Sequence, residues 1–300
     1  MIYTDFYRPT FTIVVGPPGS GKSRRAKELV EVEEFTKVFS SDEIREELTG
    51  DANCQSVNEE VFKLMKERTL QAINDGYSVI YDATNVTRKS RASILELIPK
   101  YVHKRCIICW APIDVCIERD SLRERTVGKA VIDKMLTRFE APFYDEGFDE
   151  ITVYIDGIHY NPEHYELQMY EAMKIPHDNP HHTLDIYDHC NRCGGSLTTR
   201  GDTPHFVAYA GFMHDVGKPY VKAFKDRNGN DTDIAHYYGH QGVGAWMIYG
   251  IDDKTESMVT IAWLVSTHMA PFINLKYYNS LPPMYKKWID LLHNADVEAH

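Results

Sequence analysis

A glycine-rich stretch near the start of the chain has the composition of a phosphate-binding loop. Residues 16–23 read Gly-Pro-Pro-Gly-Ser-Gly-Lys-Ser, which matches the pattern GxxxxGK[ST], and they stand between an apolar run and a helical pattern. In such a loop backbone N–H groups surround phosphate, the lysine adds positive charge and the serine hydroxyl binds Mg²⁺. We therefore expect the phosphates of a nucleotide, with Mg²⁺, to contact Gly16, Gly19, Ser20, Gly21, Lys22 and Ser23. The loop alone does not distinguish a kinase from a GTPase or an ATP-driven motor.

A carboxylate and a guanidinium follow at the end of the next predicted strand. Asp42 and Arg45 are three residues apart at the start of a predicted helix, so they share one face. A hydroxyl that accepts a phosphoryl group needs a base to take its proton, and Asp42 is placed to be that base. The plainer interpretation makes Asp42 only the N-cap of its helix.

Histidines and aspartates recur at regular intervals in the second half of the chain. The set is His189, His214, Asp215, His240, His268 and Asp296, with successive intervals of 25, 26, 28 and 28 residues when His214 and Asp215 count as one pair. Each interval is about one helix plus its connection, so the side chains can return to one centre. Imidazole and carboxylate groups suit first-row transition metals, and Asp215 could bridge two of them. Any one of these histidines alone could equally be a core or surface residue.

The two halves of the chain have different secondary-structure patterns, and these must position the candidate site residues. Apolar strands alternate with helices up to about residue 155, which predicts a mainly parallel α/β sheet. The predicted strands are 11–15, 37–40, 77–81, 105–110 and 151–155, and the helices are 22–30, 42–48, 58–74, 88–97, 113–123 and 131–139. Beyond residue 181 the periodicity is helical throughout, so an all-α domain is expected. The predicted divisions are a P-loop kinase domain at 1–155, a linker at 156–180 and an all-α domain at 181–300.

The motifs of the first half occur in an order that resembles the phage-type polynucleotide 5′-kinases over roughly residues 10–155. The likeness rests on the phosphate loop, Asp42 with Arg45, and residues 81–85, Tyr-Asp-Ala-Thr-Asn, with a basic stretch from Arg88. It implies that Asp42 is the base for a 5′-hydroxyl and that Arg45 contacts the acceptor phosphate. Asp82 would then orient Arg45, and Arg88 would also lie on the acceptor side.

The same family has a basic lid over the ATP phosphates, and this chain has a similar stretch at Arg119, Arg123 and Arg125. The spacing before Gly128 and Lys129 allows two alignments, of which we favour the one that uses Arg123 and Arg125. A solvated helix face is the alternative, above all for Arg119.

The second half resembles the HD superfamily of metal phosphohydrolases over residues 181–300. The likeness is strongest at residues 214–218, His-Asp-Val-Gly-Lys. It implies an all-α HD domain with one or two transition-metal ions, drawn from Mn, Co, Ni, Fe and Zn, on the six residues named above. Lys218 and His182 would be phosphate contacts.

Joined in one chain, the two activities predict healing of broken RNA or DNA ends, more naturally RNA. The kinase would phosphorylate a 5′-hydroxyl, the phosphohydrolase would remove a 2′,3′-cyclic or terminal phosphate, and a separate nucleic-acid ligase could then join the ends. Known HD and polynucleotide kinase fusions have the HD module first, so the module order here is reversed. Two alternatives stay open: a small-molecule kinase fused to a nucleotide phosphohydrolase, and an ATP sensor that regulates an HD hydrolase.

Composition limits the other possibilities. The formal net charge of −11 argues against a protein that coats nucleic acid with a uniformly positive surface. No apolar run resembles a signal peptide or a membrane span, and six cysteines are consistent with reduced thiols, so a cytoplasmic protein is expected. The pairs Cys106/Cys109 and Cys190/Cys193 could in principle bind zinc, but buried thiols fit the strand-like run around Cys106 better.

Overall fold

The computed structural model describes residues 8–52, 54–155, 160–180, 183–251 and 256–299. The chain forms two compact units, one of Met1–Lys129 with Pro142–Asp156 and one of Ala130–Ala141 with Gly157–His300. The sequence-based division gave residues 130–141 to the first domain and residues 156–180 to a linker, whereas 130–141 and 157–180 both group with the second unit. The second unit is therefore built from two separate stretches of chain.

The first unit contains a five-stranded parallel sheet in the order β2-β3-β1-β4-β5, as the alternating pattern predicted. Its strands are β1 (Thr10–Val15), β2 (Thr36–Ser40), β3 (Ser78–Asp82), β4 (His103–Trp110) and β5 (Glu150–Ile155). Its helices are α1 (Lys22–Val32), α2 (Ser41–Thr49), α3 (Asn58–Asn74), α4 (Arg88–Leu95) and α5 (Ile113–Ser121), and short 3-10 turns occupy Gln55–Val57 and Tyr144–Glu146. Helix α6 (Lys129–Leu136) begins where the chain leaves this unit.

The sheet brings three chain segments to one edge. Strand β1 is buried along almost its whole length, and its neighbours align so that Val14 is opposite Asp82, which is itself opposite Ser40. Because parallel strands end at the same edge, the loops after them meet there. The phosphate loop, the start of α2 and the residues after Asp82 are thereby neighbours.

The second unit is mainly helical. Its helices are α7 (Pro162–Met173), α8 (Ile186–Thr198), α9 (His205–Met213), α10 (Lys218–Val221), α11 (His240–Ile248), α12 (Glu256–Thr267), α13 (Ala270–Ile273), α14 (Leu275–Ser280) and α15 (Pro283–Glu298). Helix α7 lies within the stretch expected to be a linker, and it buries Met169 and Met173.

An antiparallel hairpin departs from the all-α expectation. Strands β6 (Ala223–Lys225) and β7 (Asp231–His236) pair between α10 and α11. The Asp226 carboxylate accepts hydrogen bonds from the backbone N–H groups of Asn228 and Asn230, and Gly229 has a φ of 87°. These strands are short and polar, so they lack the apolar run by which strands are recognised in a sequence.

The inserted segment Ala130–Ala141 belongs to the core of the second unit. The ring of Phe139 packs edge-on against Trp246, with centroids 5.4 Å apart, and against Tyr249 at 6.2 Å. A Cβ on Gly239 would lie 2.6 Å from the Thr137 carbonyl oxygen, so only glycine permits this approach. The segment thus packs on the amino-terminal end of α11, where His240 is the first residue.

Candidate active sites

The phosphate loop of the first unit has the backbone shape that its glycines predict. Gly19 has a φ of 78°, and a Cβ there would lie 2.2 Å from the Cys116 carbonyl oxygen. Gly16 is similarly confined, because a Cβ would lie 2.7 Å from the Cys109 carbonyl oxygen. The loop therefore lies tightly against the sheet, with its N–H groups at the start of α1.

Lys22 and Ser23 begin α1 and face the end of β3. The Ser23 hydroxyl donates to Asp82 Oδ2 at 2.9 Å, and Lys22 Nζ donates to the Pro17 carbonyl at 2.8 Å. Burial lowers the pKa of Lys22, against the opposing charge of Asp82. Burial also raises the pKa of Asp82, although Lys22 and Ser23 favour the carboxylate. A hydroxyl beside a strand-end carboxylate is the pair that holds Mg²⁺ in P-loop proteins, so these donors fit that ion.

The Asp42 carboxylate lies between two arginines. Its Oδ1 accepts a hydrogen bond from Arg45 Nη1 at 2.9 Å, and its Oδ2 lies 3.0 Å from Arg125 Nη1. The N-cap of α2 is Ser40, whose hydroxyl accepts from the Asp42 backbone N–H, so the capping interpretation of Asp42 is wrong. The Asp42 side chain remains 48% exposed and is thus accessible to an acceptor.

Arg45 is oriented by Asn58, and the expectation that Asp82 orients it is corrected. Arg45 Nη2 donates to Asn58 Oδ1 at 2.9 Å, and Arg45 itself is buried. Asp82 instead accepts from Ser23, because β3 ends at Asp82 where α1 begins after the phosphate loop. Asn58 begins α3, and no motif in the sequence distinguishes it from other polar residues.

Arg88, predicted on the acceptor side, forms ion pairs with two acidic residues. Its Nη1 donates to Asp145 Oδ1 at 3.0 Å, and Glu146 Oε1 lies 3.7 Å from it. The neighbouring Arg91 is fully buried and makes two hydrogen bonds to Glu146, at 2.8 and 2.7 Å. These pairs fix α4 to the turn Tyr144–Glu146, which sequence reasoning did not foresee.

The basic lid residues take three different positions. Arg125 pairs with Asp42, Arg119 Nη1 donates to the Gly19 carbonyl at 3.4 Å, and Arg123 is exposed. Buried Asp120 organises the turn behind them, since its Oδ2 accepts from the Thr126 hydroxyl at 2.8 Å and from two backbone N–H groups. Sequence reasoning missed Asp120, because nothing in the sequence distinguishes it from Asp114 and Glu118 of the same helix.

A groove of about 630 Å³ adjoins this site within the first unit. It begins at Asn58, the partner of Arg45, and runs past Tyr81 and Asn85 at the end of β3. Three lysines line it, namely Lys63, Lys66 and Lys89. The lining of the groove therefore has three lysines against one acidic residue, Glu59.

The second unit gathers all six predicted metal ligands into one buried cluster. His189 Nε2 lies 2.9 Å from Asp296 Oδ1 and 3.2 Å from His214 Nε2. A second group forms beside it, with His240 Nε2 at 3.3 Å from both His268 Nε2 and Asp215 Oδ1. Asp215 Oδ2 is 3.4 Å from His214 Nε2, so its two oxygens face the two groups. Nitrogen and oxygen donors of these types fit transition-metal ions, which these six residues would hold.

Backbone carbonyls orient three of the four rings. The Nδ1 atoms of His214, His240 and His268 bond to the carbonyl oxygens of residues 211, 237 and 265 at 2.8–2.9 Å. A hydrogen on Nδ1 leaves the Nε2 lone pair available, which is the form that binds a metal. Burial lowers the pKa of His268 to about 3 and also lowers that of His240. Despite burial, the neighbouring Cys190, Asp215 and Asp296 hold the pKa of His214 well above its usual value.

Lys218 contacts the bridging carboxylate directly. Its Nζ lies 2.6 Å from Asp215 Oδ2, and despite burial Lys218 and His214 hold the pKa of Asp215 well below its usual value. Lys218 Nζ also lies 3.3 Å from Nε2 of buried His177, a residue within the expected linker that sequence reasoning missed. Burial lowers the pKa of His177 to about 4. His182, the other predicted phosphate contact, lies outside the described residues.

The cysteines of the two CxxC pairs are buried free thiols. Cys190 lies behind the cluster, with its Sγ 3.8 Å from His214 Nδ1. Cys106 and Cys109 belong to β4 in the other unit. The two pairs therefore occupy separate cores rather than a shared zinc site.

Comparison with known proteins concerns mostly the first unit. Residues 11–142 match the family model described as an AAA domain. The first half carries a P-loop domain. This match supports a nucleotide-binding domain of the kinase type, with ATP as its ligand and Mg²⁺ beside it.

The relatives are similar over limited stretches. A 6-phosphofructo-2-kinase/fructose-2,6-bisphosphatase from Aquarana catesbeiana is 30% identical over 113 residues, which cover 32% of this chain and 24% of that protein. The chain therefore matches about a quarter of that curated relative.

Two solved structures are also similar to parts of the chain. A chain of the Pnkp1/Rnl/Hen1 RNA repair complex shows 23% identity over 45% of each chain, with a TM-score of 0.41. A fungal RNA kinase shows 16% identity, covers 56% of this chain and 88% of its own, and has a TM-score of 0.37. Separately, none of the described helices has the length and apolar composition needed to cross a bilayer.

Proposed function

We propose that this protein heals nucleic-acid ends, RNA in the first place, with two catalytic sites in one chain. The first unit transfers the γ-phosphate of ATP to a 5′-hydroxyl, and the second removes a 2′,3′-cyclic or terminal phosphate. The observation that carries the proposal is the pair of arginines on Asp42, beside the Ser23–Asp82 pair of a phosphate loop. A carboxylate in that position has a role in phosphoryl transfer to a hydroxyl and none in simple ATP binding.

In the kinase reaction Asp42 takes the proton of the attacking hydroxyl, and Arg45 holds the acceptor phosphate. Lys22 and Arg125 stabilise the charge on the transferred phosphoryl group, with Arg123 and Arg119 on the nucleotide side. Mg²⁺ held by Ser23 and Asp82 would neutralise the charge of the nucleotide phosphates. When ATP enters, Arg125 exchanges its ion pair with Asp42 for the phosphoryl oxygens, which frees the carboxylate to act as a base.

The lysine-lined groove supports an acceptor with several phosphates. Lys63, Lys66 and Lys89 line it, whereas the protein as a whole has a net charge of −11. Local positive charge on an acidic protein favours binding of a polyanion at that one place. A nucleic-acid strand has phosphates on successive nucleotides to match these lysines.

In the phosphohydrolase reaction the six clustered side chains would hold the metal, and Lys218 would face the scissile phosphate. The donor set fits one or two ions of Mn, Co, Ni, Fe or Zn, which would lower the pKa of water and neutralise phosphate charge. Lys218 supplies a further positive charge next to Asp215. Cyclic phosphates arise from the 2′-hydroxyl of RNA, which favours RNA as the substrate, and a separate ligase would consume the healed ends.

A second candidate is a kinase and phosphatase for a small sugar phosphate. It is favoured by the similarity to the bifunctional 6-phosphofructo-2-kinase/fructose-2,6-bisphosphatase. In that case Asp42 and Arg45 would serve a hydroxyl and a phosphate of one small acceptor. If ATP binds and no acceptor is phosphorylated, the first unit would instead be an ATP sensor that regulates the second unit.

The test of the kinase is transfer of label from γ-labelled ATP. The acceptors are 5′-hydroxyl RNA, 5′-hydroxyl DNA, the same oligonucleotides with 5′-phosphate, and fructose 6-phosphate. We expect label only on the 5′-hydroxyl oligonucleotides, lost in Lys22→Ala. Label on fructose 6-phosphate and on neither nucleic acid would establish the second candidate instead.

The test of the phosphohydrolase is hydrolysis of RNA that ends in a 2′,3′-cyclic phosphate. Metal content is measured by elemental analysis, and Mg²⁺, Mn²⁺, Co²⁺, Ni²⁺, Fe²⁺ and Zn²⁺ are added separately. We expect Mg²⁺ to support the reaction poorly, because imidazole-rich sites prefer softer ions. One metal per chain with a fully active His240→Ala variant would refute the two-metal site, and inactivity with every ion would refute the phosphohydrolase.

A further inference from the structure

The metal cluster opens into a pocket of about 510 Å³ within the second unit. Asp215, His240, His268 and Asp296 line its inner end. This volume is within the range of pockets that hold a small organic ligand, and it exceeds what a lone phosphate needs. The pocket therefore has room for the group that carries the phosphate.

The β6–β7 hairpin and the residues after it form one side of the outer pocket. Tyr238 is stacked on His236, with the rings at 10° and centroids 5.2 Å apart, and its hydroxyl lies 3.1 Å from His236 Nδ1. Arg227, from the hairpin turn, has its guanidinium carbon 5.3 Å from the Tyr238 ring centroid. Tyr238 is 42% exposed although these two contacts hold it in place.

Helices α13 and α15 form the other side. Phe272 meets His293 edge to face, with centroids 4.7 Å apart, and Phe272 is 63% exposed. Both residues line the pocket, as do Tyr238 and Arg227. These exposed aromatic rings line the same pocket as the cluster. Apolar groups that share a cavity with a few polar side chains are typical of a ligand-binding site.

We propose that these rings bind the nucleobase of the nucleotide whose phosphate is hydrolysed at the cluster. The inference rests on the proposed phosphohydrolase. Binding of the base would make this site selective for a nucleic-acid end. Bases stack on aromatic side chains regardless of sequence, and an arginine beside the stack adds a cation–π contact and a charge for the adjacent phosphate. Tyr238 and Phe272 are the stacking residues, and Arg227 binds the neighbouring phosphate.

The decisive experiment compares two cyclic phosphates that differ in the base. Adenosine or uridine 2′,3′-cyclic phosphate has one, and glycerol 1,2-cyclic phosphate has none. We expect the ratio of their kcat/KM values to fall by about tenfold in Tyr238→Ala and in Phe272→Ala, as loss of one base–aromatic stack predicts. Phe224→Ala is the matched control, since Phe224 is an exposed aromatic of the same hairpin that does not line the pocket. A ratio in the two pocket variants equal to that of the wild type would overturn the proposal.

A binding measurement separates this inference from the chemistry on which it rests. The dissociation constants of adenosine 3′-monophosphate and glycerol 3-phosphate are measured by calorimetry with Mn²⁺ present. We expect the nucleotide to bind more tightly, and Tyr238→Ala to remove most of that advantage. If the nucleotide binds more tightly but no substrate is hydrolysed, the proposed hydrolysis is refuted and the proposed base site stands. Equal affinity for the two ligands would refute the base site even if hydrolysis is observed.

Discussion

The two candidate catalytic clusters differ in how the chain holds them. In the first unit the charged groups depend on one another, since Asp42 is held by Arg45 and Arg125, and Ser23 by Asp82. In the second unit three imidazoles are held by backbone carbonyls, and the cluster is buried. The first arrangement can exchange partners when substrates arrive, whereas the second is set before any ligand binds. A reaction with two mobile substrates suits the first, and a metal cluster of fixed geometry suits the second.

Asp215→Asn tests the fixed cluster and has the largest expected effect. Removing the charge of the carboxylate that faces both ligand groups should lower cyclic-phosphate hydrolysis by roughly a thousandfold or more, because metal assistance is worth several kcal/mol. The measurement is kcat/KM on cyclic-phosphate RNA, together with metal content. Kinase activity serves as the control, since every group of that site lies in the other unit. A parallel loss of both activities in a folded variant would contradict chemically independent sites.

Asp42→Asn tests the exchangeable cluster. We expect kcat for 5′-hydroxyl phosphorylation to fall about a hundredfold to a thousandfold, as for loss of a general base. The affinity for ATP, measured by nucleotide fluorescence, should change little because the carboxylate faces the acceptor. Glu43→Gln, at the exposed neighbouring position, is the matched control. Wild-type kcat in Asp42→Asn would refute the assignment of the base.

Metal removal should affect the two units unequally. At a free ion concentration of a hundred times the dissociation constant, binding stabilises the folded state by about 2.7 kcal/mol. Chelation should therefore lower the thermal midpoint of the second unit, and re-addition of Mn²⁺ or Co²⁺ should restore it. The check is differential scanning calorimetry on the wild type and on His268→Ala. An identical metal-dependent shift in both proteins would mean that the ion binds elsewhere.

Asn58→Ala has the smallest expected effect and sharpens the account of the exchangeable site. Arg45 loses one hydrogen bond from its guanidinium, which is worth about 1.5 kcal/mol for a charged group, so the acceptor KM should rise about tenfold with a smaller change in kcat. Asn58→Asp should restore the KM, because it keeps an oxygen for Arg45. Gln55→Ala should have a smaller effect in the same direction, since Gln55 Oε1 accepts from the Asn58 amide and acts on Arg45 through Asn58. An unchanged KM would show that Asn58 has no positioning role.

The first fold was predictable because its signals are local. Five apolar strands that alternate with helices predicted the parallel sheet, which the structure has. The spacing of Gly16, Lys22 and Ser23 predicted the phosphate-binding loop. The contacts of Arg45 with Asn58 and of Arg88 with Asp145 were not predictable, since these partners are 13 and 57 residues away along the chain. Asn58 and Asp145 are contacts of tertiary structure, and nothing in their own sequence neighbourhood distinguishes them.

The second cluster was predictable for a different reason. The six side chains, spaced 25–28 residues apart, were expected to lie together because each interval is about one helix plus its connection. They do lie together, even though His189 and Asp296 are 107 residues apart. His177 was missed because it lies among prolines and polar residues that indicate a linker. The hairpin was missed because β6 and β7 are short and largely exposed, so packing leaves no periodic trace in their sequence.

The segment Ala130–Ala141 limits where the chain can be cut into two folded fragments. Because the second unit is assembled from residues on both sides of β5, no single cleavage yields both units intact. A fragment that ends at residue 155 would carry Phe139 without Trp246 and Tyr249, and a fragment that begins at residue 156 would lack the ring that packs on them. During synthesis the second unit likewise cannot finish folding until its distant carboxyl-terminal helices have emerged, although its first piece is made early. Gene fusions or deletions at this boundary would therefore be tolerated only if they carry the twelve-residue segment along with the helices that it completes.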